Sequence, residues 1–464
     1  MMRKITTIKR FWSVFLLVCL LVSLSSCGGQ GNDIASHESD AASDRRQSAT
    51  EPAGELVIYC PPLEQDISYL LQLAGETFTA RFPDVTLTIR EFGKYEDPGA
   101  VQDYQTLLST ELSAGKGPDV ILFDFDLFPD VYKLLDANVF CDITDWLEKD
   151  ETFDRTQYNQ DAFAGGVYKG QQLFLPLSIW QPNAVSTTEE ALEQFGVSLP
   201  KQPSFADWAD CVRQSVAQHS EQENLQMFGQ WAPDFTDNQL LWRLGLRVVD
   251  YETGEVDIDV PALQKLMELC KALYPYSQEW TDRYPMVVTN PNFPIDTYPI
   301  GNALCELNDA ILLYMYDQPR LEKEATPITF FLPSATEGKT VALLDVCGAI
   351  RSTSPNQKNA YEFLKILLSP AKQHYFMSSS VHMDTFRLET KNLAANYVNP
   401  VAALSDVKID ELYAQLQDVT FCQSRSRAVA EIVWNCMTPY FQGHESFDFC
   451  LTQLQGQLDI YLHE

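Results

Sequence analysis

Histidine is scarce in this 464-residue sequence. Only His37, His219, His374, His382, His444 and His463 occur, with no HExxH pattern and no close pair at helical spacing. That disfavours a transition-metal centre. The DxDxDG spacing of a calcium loop is also missing around Asp124, Asp126 and Asp130, so these carboxylates read as a solvated loop and no metal is expected. There is no GxSxG, no P-loop and no GxGxxG, which removes the nucleophile elbow, the nucleotide cradle and the dinucleotide fingerprint, and with them any expected cofactor. There is no CxxC, hence no zinc ribbon and no thioredoxin-like site. Basic residues are few, 33 Lys and Arg against 64 Asp and Glu, for a net charge of −31. A surface this acidic repels nucleic acid and anionic lipid, so neither is an expected partner. Beyond the first residues no apolar run is long enough to cross a membrane. No repeat with a period of 20 to 50 residues is visible.

What the chain does have begins at its start. Arg3, Lys4, Lys9 and Arg10 precede an apolar stretch from Phe11 to Val22 that only Ser13 interrupts. A basic start, a short greasy core and a small-residue exit predict a secretory signal peptide over 1–26. Its exit, Leu24-Ser25-Ser26-Cys27, resembles the bacterial lipobox, which implies a lipidated Cys27 as the mature N-terminus, anchored by its acyl chains to the cell membrane. Loss of the four basic residues would take the charge from −31 to −35. Residues 28–54 are rich in Gly, Ser, Ala and acidic residues, with Ile34 as the only large aliphatic and no aromatic. Such a segment cannot bury enough apolar surface to order itself. It reads as a tether of roughly 30 Å r.m.s. span.

The remaining stretch, about 410 residues, exceeds a single hydrophobic core and predicts two domains. Strand Glu55–Tyr59, helix 68–82, strand Val85–Ile89, helix 101–114 and strand Asp119–Asp124 follow one another. This βαβαβ order predicts a parallel sheet with crossover helices. Pro261 is placed to start a helix with Leu263, Leu266, Met267, Cys270 and Leu273 inward. Ala360, Phe363, Leu364, Leu367 and Leu368 form the stripe of another, and Cys450, Leu454, Leu458 and Tyr461 that of a third. Besides Cys19 and Cys27, nine cysteines lie scattered along the chain. Most read as small buried hydrophobes, and no pairing follows from their spacing.

Five phrases, in order, resemble extracellular solute-binding protein family 1, the sugar-type binding proteins of ABC importers. They are Leu56-Val57-Ile58-Tyr59 with the helix ending Phe78-Thr79-Ala80-Arg81-Phe82-Pro83; Gly117-Pro118-Asp119-Val120; Val139 to Thr144; Tyr168 to Pro176; and Ala349 to Asn356 with the helix to Leu368. Residues after about 385 match no phrase of the family. The resemblance implies an α/β, two-lobed, periplasmic-binding-protein-like fold of type II, with a hinge and an inter-lobe cleft. Lobe 1 is expected over 55–175 plus 296–340, and lobe 2 over 176–295 plus 341–464.

In open α/β sheets ligands bind beyond the carboxyl ends of the strands. Sugars present flat C–H faces for aromatic rings and hydroxyl rims for carboxylates. Tyr59 and Asp124 end predicted strands, Trp180 follows the predicted hinge strand, Trp231 lies in a loop, and Trp280 and Tyr298 flank a Pro-rich stretch. These six are the candidate ligand contacts. With 8 Trp and 20 Tyr in the chain, most aromatics must instead be structural, Trp242 and Trp434 among them. The expectation is a monomeric, non-enzymatic receptor on the extracytoplasmic face. It takes a small polar solute, a mono- or oligosaccharide first, and serves ABC permease subunits. A peptide, polyamine or phosphorylated ligand, a lipid-anchored glycan hydrolase and a ligand-sensing subunit of a signalling receptor are the alternatives.

Overall fold

The computed structural model describes residues 54–463 except 64–65, 95–96, 126–130, 181–182, 220–225, 229–243, 284–302, 310–326, 336–338, 377–378, 389–418 and 422–425. The expected signal peptide, Cys27 and nearly all of the tether lie outside the described residues.

The first sheet has five strands in the order Thr86–Glu91, Glu55–Cys60, Val120–Phe123, Cys347–Ile350, Phe174–Pro176. The first three run parallel, Glu55 opposite Thr86 and Ile58 opposite Val120, while Cys347–Ile350 runs antiparallel between its neighbours. The crossover helices are Ser68–Arg81 and Pro98–Ser113. Asp97 caps the second, its side chain accepting the Gly99 N–H at 2.9 Å, and Pro98 sits in the first turn where its missing N–H costs nothing. Gly117 takes φ 116°, a value that needs glycine, to turn the chain into the central strand. All four side chains of Val120–Phe123 are buried, as an unbroken apolar run in a strand covered on both faces requires.

Helix Gln357–Leu368 packs on this sheet and against helix Ser68–Arg81, burying Ala360, Phe363, Leu364, Leu367 and Leu368 as its periodicity predicts. The fit is close. A Cβ on Gly348 would lie 2.5 Å from Leu364 Cδ2, so any side chain there would have to displace the buried leucine.

The amino-terminal edge of the sheet is fastened by one carboxylate. Asp119, 3% exposed, accepts from Val57 N–H (2.8 Å), Ser354 Oγ–H (2.6 Å) and Asn356 Nδ2–H (3.2 Å). The Arg351 guanidinium stands 3.9 Å away and donates to the Pro118 carbonyl at 2.8 Å. The Gly-Pro-Asp phrase and the Arg-Ser-Thr-Ser-Pro-Asn phrase are thus two halves of one buried network.

A second hydrophobic core is built by helices Phe205–His219, Val260–Arg283, Arg427–Phe441 and Phe447–His463, with Trp208, Leu266, Met267, Met437, Leu454 and Leu458 inside. Asp259 caps the second of these helices through the Ala262 N–H at 3.0 Å. Trp434 is buried here, as its helical setting suggested, and Trp242 lies outside the described residues. The long tail beyond 385 contributes the last two helices and strand Val419–Phe421.

The division between the lobes differs from the one expected. Strands Ala303–Asp309 and Pro327–Phe331 both pair with Asn183–Thr188, on the side of the second core, whereas 296–340 was assigned to lobe 1. Cys347–Ile350 and helix Gln357–Leu368, assigned to lobe 2, belong to the first sheet and core. The reason is burial. Cys347–Ile350 is apolar throughout and every residue of it is buried, which suits a central position between two strands.

Among the described cysteines, Cys60, Cys211, Cys270, Cys347 and Cys450 are buried and Cys141 and Cys436 half-buried, and no disulfide joins any two of them. Burial pushes the Cys60 and Cys270 thiols up, which keeps them protonated and unreactive.

His382 is buried and ties the 157–158 segment to residues 380–385. Its Nδ1 accepts from the Thr385 N–H (3.2 Å) and lies 3.0 Å from Thr385 Oγ1, and its Nε2 lies 3.3 Å from Gln157 Oε1. Burial lowers its pKa, with Asp384 opposing weakly. The fold favours the neutral ring while the unfolded chain takes up a proton near its ordinary value of about 6.5. The stability it contributes is therefore complete above that pH and is lost as pH falls towards the lowered folded value. Melting temperature should drop between pH 7.5 and 5.5, and His382→Asn should flatten that dependence. An identical slope in the variant would assign the acid sensitivity elsewhere.

Candidate functional site

The carboxyl ends of the parallel strands, at Cys60, Glu91 and Phe123, lie along one edge of the first sheet. At that edge two chain segments leave for the second set of strands. Phe174–Pro176 continues into Ser178–Trp180, and Thr340–Leu344 continues into Cys347–Ile350. Ser178–Trp180 and Thr340–Leu344 pair antiparallel in the second set, just as Phe174–Pro176 and Cys347–Ile350 pair in the first. The two crossings are thus adjacent. Leu177 N–H donates to the Val346 carbonyl (2.7 Å) and Asp345 N–H to the Ser178 carbonyl (3.0 Å).

A buried pair sits at their centre. The Ser178 hydroxyl donates to Asp345 Oδ2 at 2.9 Å and accepts from the Val346 N–H at 3.1 Å. Ser178 is 0% and Asp345 4% exposed. Gln373 braces the same point. Its Nε2–H donates to the Leu177 carbonyl (3.0 Å) while its Oε1 accepts from Ser380 Oγ–H (2.8 Å) and the Val381 N–H (3.0 Å). Two short crossings joined by such bonds can act as a pivot between separately packed cores.

The sequence-predicted residues divide around this pivot. Trp180 is two residues beyond Ser178, opposite Leu343, half-buried and packed against the second core. Asp124 directly follows the central strand at the same edge and is buried. Tyr104, fully buried, feels the Asp124 charge. Burial first, then Cys60, Asp124 and Tyr59, holds its phenol well above the ordinary range. The Tyr104 hydroxyl has no hydrogen-bond partner among the described residues.

Tyr59 is elsewhere. Its ring is 6% exposed, packs edge-on against Phe92 at 5.0 Å, and points its hydroxyl at Glu111 Oε1, 3.4 Å away on the crossover helix. It therefore lies in the layer between sheet and helix. Trp280 falls in the last turn of helix Val260–Arg283, where only the backbone is described. Trp231, Tyr298, Asp126 and Asp130 lie outside the described residues. Among the described residues no group of three or more His, Cys, Asp or Glu is arranged to hold a metal ion.

Ser178 and Asp345 were not anticipated. Their only sequence signal is a single polar residue flanked by apolar neighbours, Leu177 and Ile179 in one case, Leu344 and Val346 in the other. Such a residue needs a buried partner, but nothing in the sequence says that each is the other's.

The sequence profile of the bacterial extracellular solute-binding protein family matches residues 74–382. No curated protein sequence matches the chain. Among solved structures, the sugar-binding protein MalE from Xanthomonas citri is similar with a TM-score of 0.60 at 13% identity, over 88% of this chain and 97% of that one. An extracellular solute-binding protein family 1 member from Alicyclobacillus acidocaldarius gives 0.55 at 14% identity, over 89% and 100%. An ABC substrate-binding protein from Listeria monocytogenes in complex with cycloalternan gives 0.53 at 14% identity, over 88% and 99%. Two cores, a paired crossing at the strand ends and a profile spanning both lobes agree: the chain belongs to the bacterial extracellular solute-binding protein family and has its two-lobed, periplasmic-binding-protein-like α/β fold.

Proposed function

We propose that this chain is a lipid-anchored receptor on the extracytoplasmic face of the cell membrane, which captures a carbohydrate between its lobes and delivers it to an ABC permease without changing any bond in it. The observation that carries this reading is the adjacent pair of crossings at 176–178 and 344–347, set where the parallel strands of the first sheet end. A ligand held there touches both lobes, so its binding free energy favours their closed arrangement. Trp180, half-buried beside the pivot, supplies an aromatic face for a sugar ring, and the buried Asp124 edge supplies a carboxylate for its hydroxyls. The sugar-bound proteins of like fold support the ligand class. The Leu24-Ser25-Ser26-Cys27 phrase supports the anchor.

The test is thermal unfolding of the purified protein against mono- and oligosaccharides, amino acids and polyamines. A ligand that binds only the native state raises its stability by about 2.7 kcal/mol at a hundredfold excess over Kd. The expected outcome is a carbohydrate that shifts the transition and is recovered unaltered. A shift confined to amino acids or polyamines would overturn the ligand class, and a cleaved sugar would overturn the receptor reading.

A further inference from the structure

The lobes also meet away from the crossings. From the first core come helix Val131–Asp136 and the hairpin of strands Val167–Tyr168 and Gln171–Gln172. The turn of that hairpin, Lys169-Gly170, has φ of 49° and 77°, the pair of positive values of a type I′ turn, so its tip is rigidly aimed. From the second core come the tip of the hairpin joining Val249–Asp250 to Glu255–Val256, and the C-terminal helix Phe447–His463.

Tyr132 and Tyr251 stack face to face, 3.9 Å between centroids and 7° between planes. The Tyr168 hydroxyl lies 2.9 Å from Asp136 Oδ1 and 3.2 Å from the Tyr251 carbonyl. Lys169 N–H points at Glu252 Oε1 (3.4 Å), while its ammonium holds Asp136 at 2.6 Å. Behind the stack, the Tyr251 and Tyr461 hydroxyls are 2.9 Å apart and the Lys133 ammonium sits 4.9 Å above the Tyr461 ring. Tyr251 packs against both hydrophobic cores.

We infer that this cluster, centred on the Tyr132–Tyr251 stack, is an inter-lobe latch that holds the lobes in this relative arrangement and so sets the free energy of the hinge motion without touching the solute. The inference rests on the two-lobed receptor reading. Its parts suit the role. Stacked rings and a few hydrogen bonds across two rigid hairpins form or break as a unit, and they hold one arrangement without fusing the cores. A latch made in one state only must be lost in the other, so removing it changes both the resting separation and the apparent solute affinity.

The test uses small-angle scattering of the unliganded full chain, wild type against Tyr251→Ala and Tyr251→Phe. Tyr251→Ala loses the stack and should change the radius of gyration and the scattering profile. Tyr251→Phe keeps the ring, removes the hydroxyl that pairs with Tyr461, and should stay close to wild type. Tyr132→Leu, which retains apolar volume against the first core, serves as the second stack-breaking variant should Tyr251→Ala not fold. Because no solute is present, the result is independent of the ligand class. Once a solute is in hand, the stack-breaking variant should alter its Kd about 3- to 10-fold, the sign telling which end of the motion the latch holds. A folded stack-breaking variant with the wild-type scattering profile, or with unchanged Kd, would overturn the inference.

Discussion

Replacing Asp119 with alanine should lower the unfolding free energy by about 3–5 kcal/mol, the range for removing one partner of a buried ionic network. The carboxylate takes three hydrogen bonds, from Val57 N–H, Ser354 Oγ–H and Asn356 Nδ2–H, and balances the nearly buried Arg351. Its removal strands those donors and leaves a guanidinium without its counter-charge. Asp119→Asn keeps the shape and should cost less. The loss is read from chemical denaturation of the two variants beside wild type. A fall of under about 1 kcal/mol in Asp119→Ala would mean that water replaces the carboxylate, and that the network is not what fastens the 351–356 return to the sheet.

Trp180→Ala should weaken carbohydrate binding by about 1–3 kcal/mol, roughly 5- to 150-fold in Kd, as for an aromatic anchor in a binding site. The indole is two residues past the buried Ser178 and only half-buried, so part of it remains free to cover a sugar face. The rest of the ring packs against the second core, and some stability of the unliganded protein should go with it. The two effects are separated by measuring Kd well below the variant's melting temperature. An unchanged Kd in the folded variant would remove Trp180 from the site.

Much of the fold was legible because amphipathic periodicity is a strong signal. The stripe from Ala360 to Leu368 and that from Cys450 to Leu458 are buried as their spacing requires. The parallel sheet followed from strands alternating with helices. The return of the chain to the first lobe was hidden for a physical reason. Val341–Leu344 and Cys347–Ile350 are both apolar runs, separated only by Asp345-Val346, and a chain that changes sheets within two residues carries no turn signal to mark it. The candidate site was legible by edge but not by side. Tyr59 and Asp124 do lie at strand ends, just before Cys60 and just after Phe123, yet alternation along Glu55–Cys60 sends Tyr59 into the helix layer, and strand-end position does not reveal that. The Ser178–Asp345 pair is separated by 167 residues, and no local pattern joins such partners.

A receptor of this kind should bind a carbohydrate reversibly and leave it intact. Titration calorimetry with the sugar selected by the thermal screen, followed by recovery of that sugar, measures this most directly. The expected result is saturable binding at one site per chain, with the sugar returned chemically unchanged. No saturable binding of any carbohydrate, or a sugar returned cleaved, would contradict it.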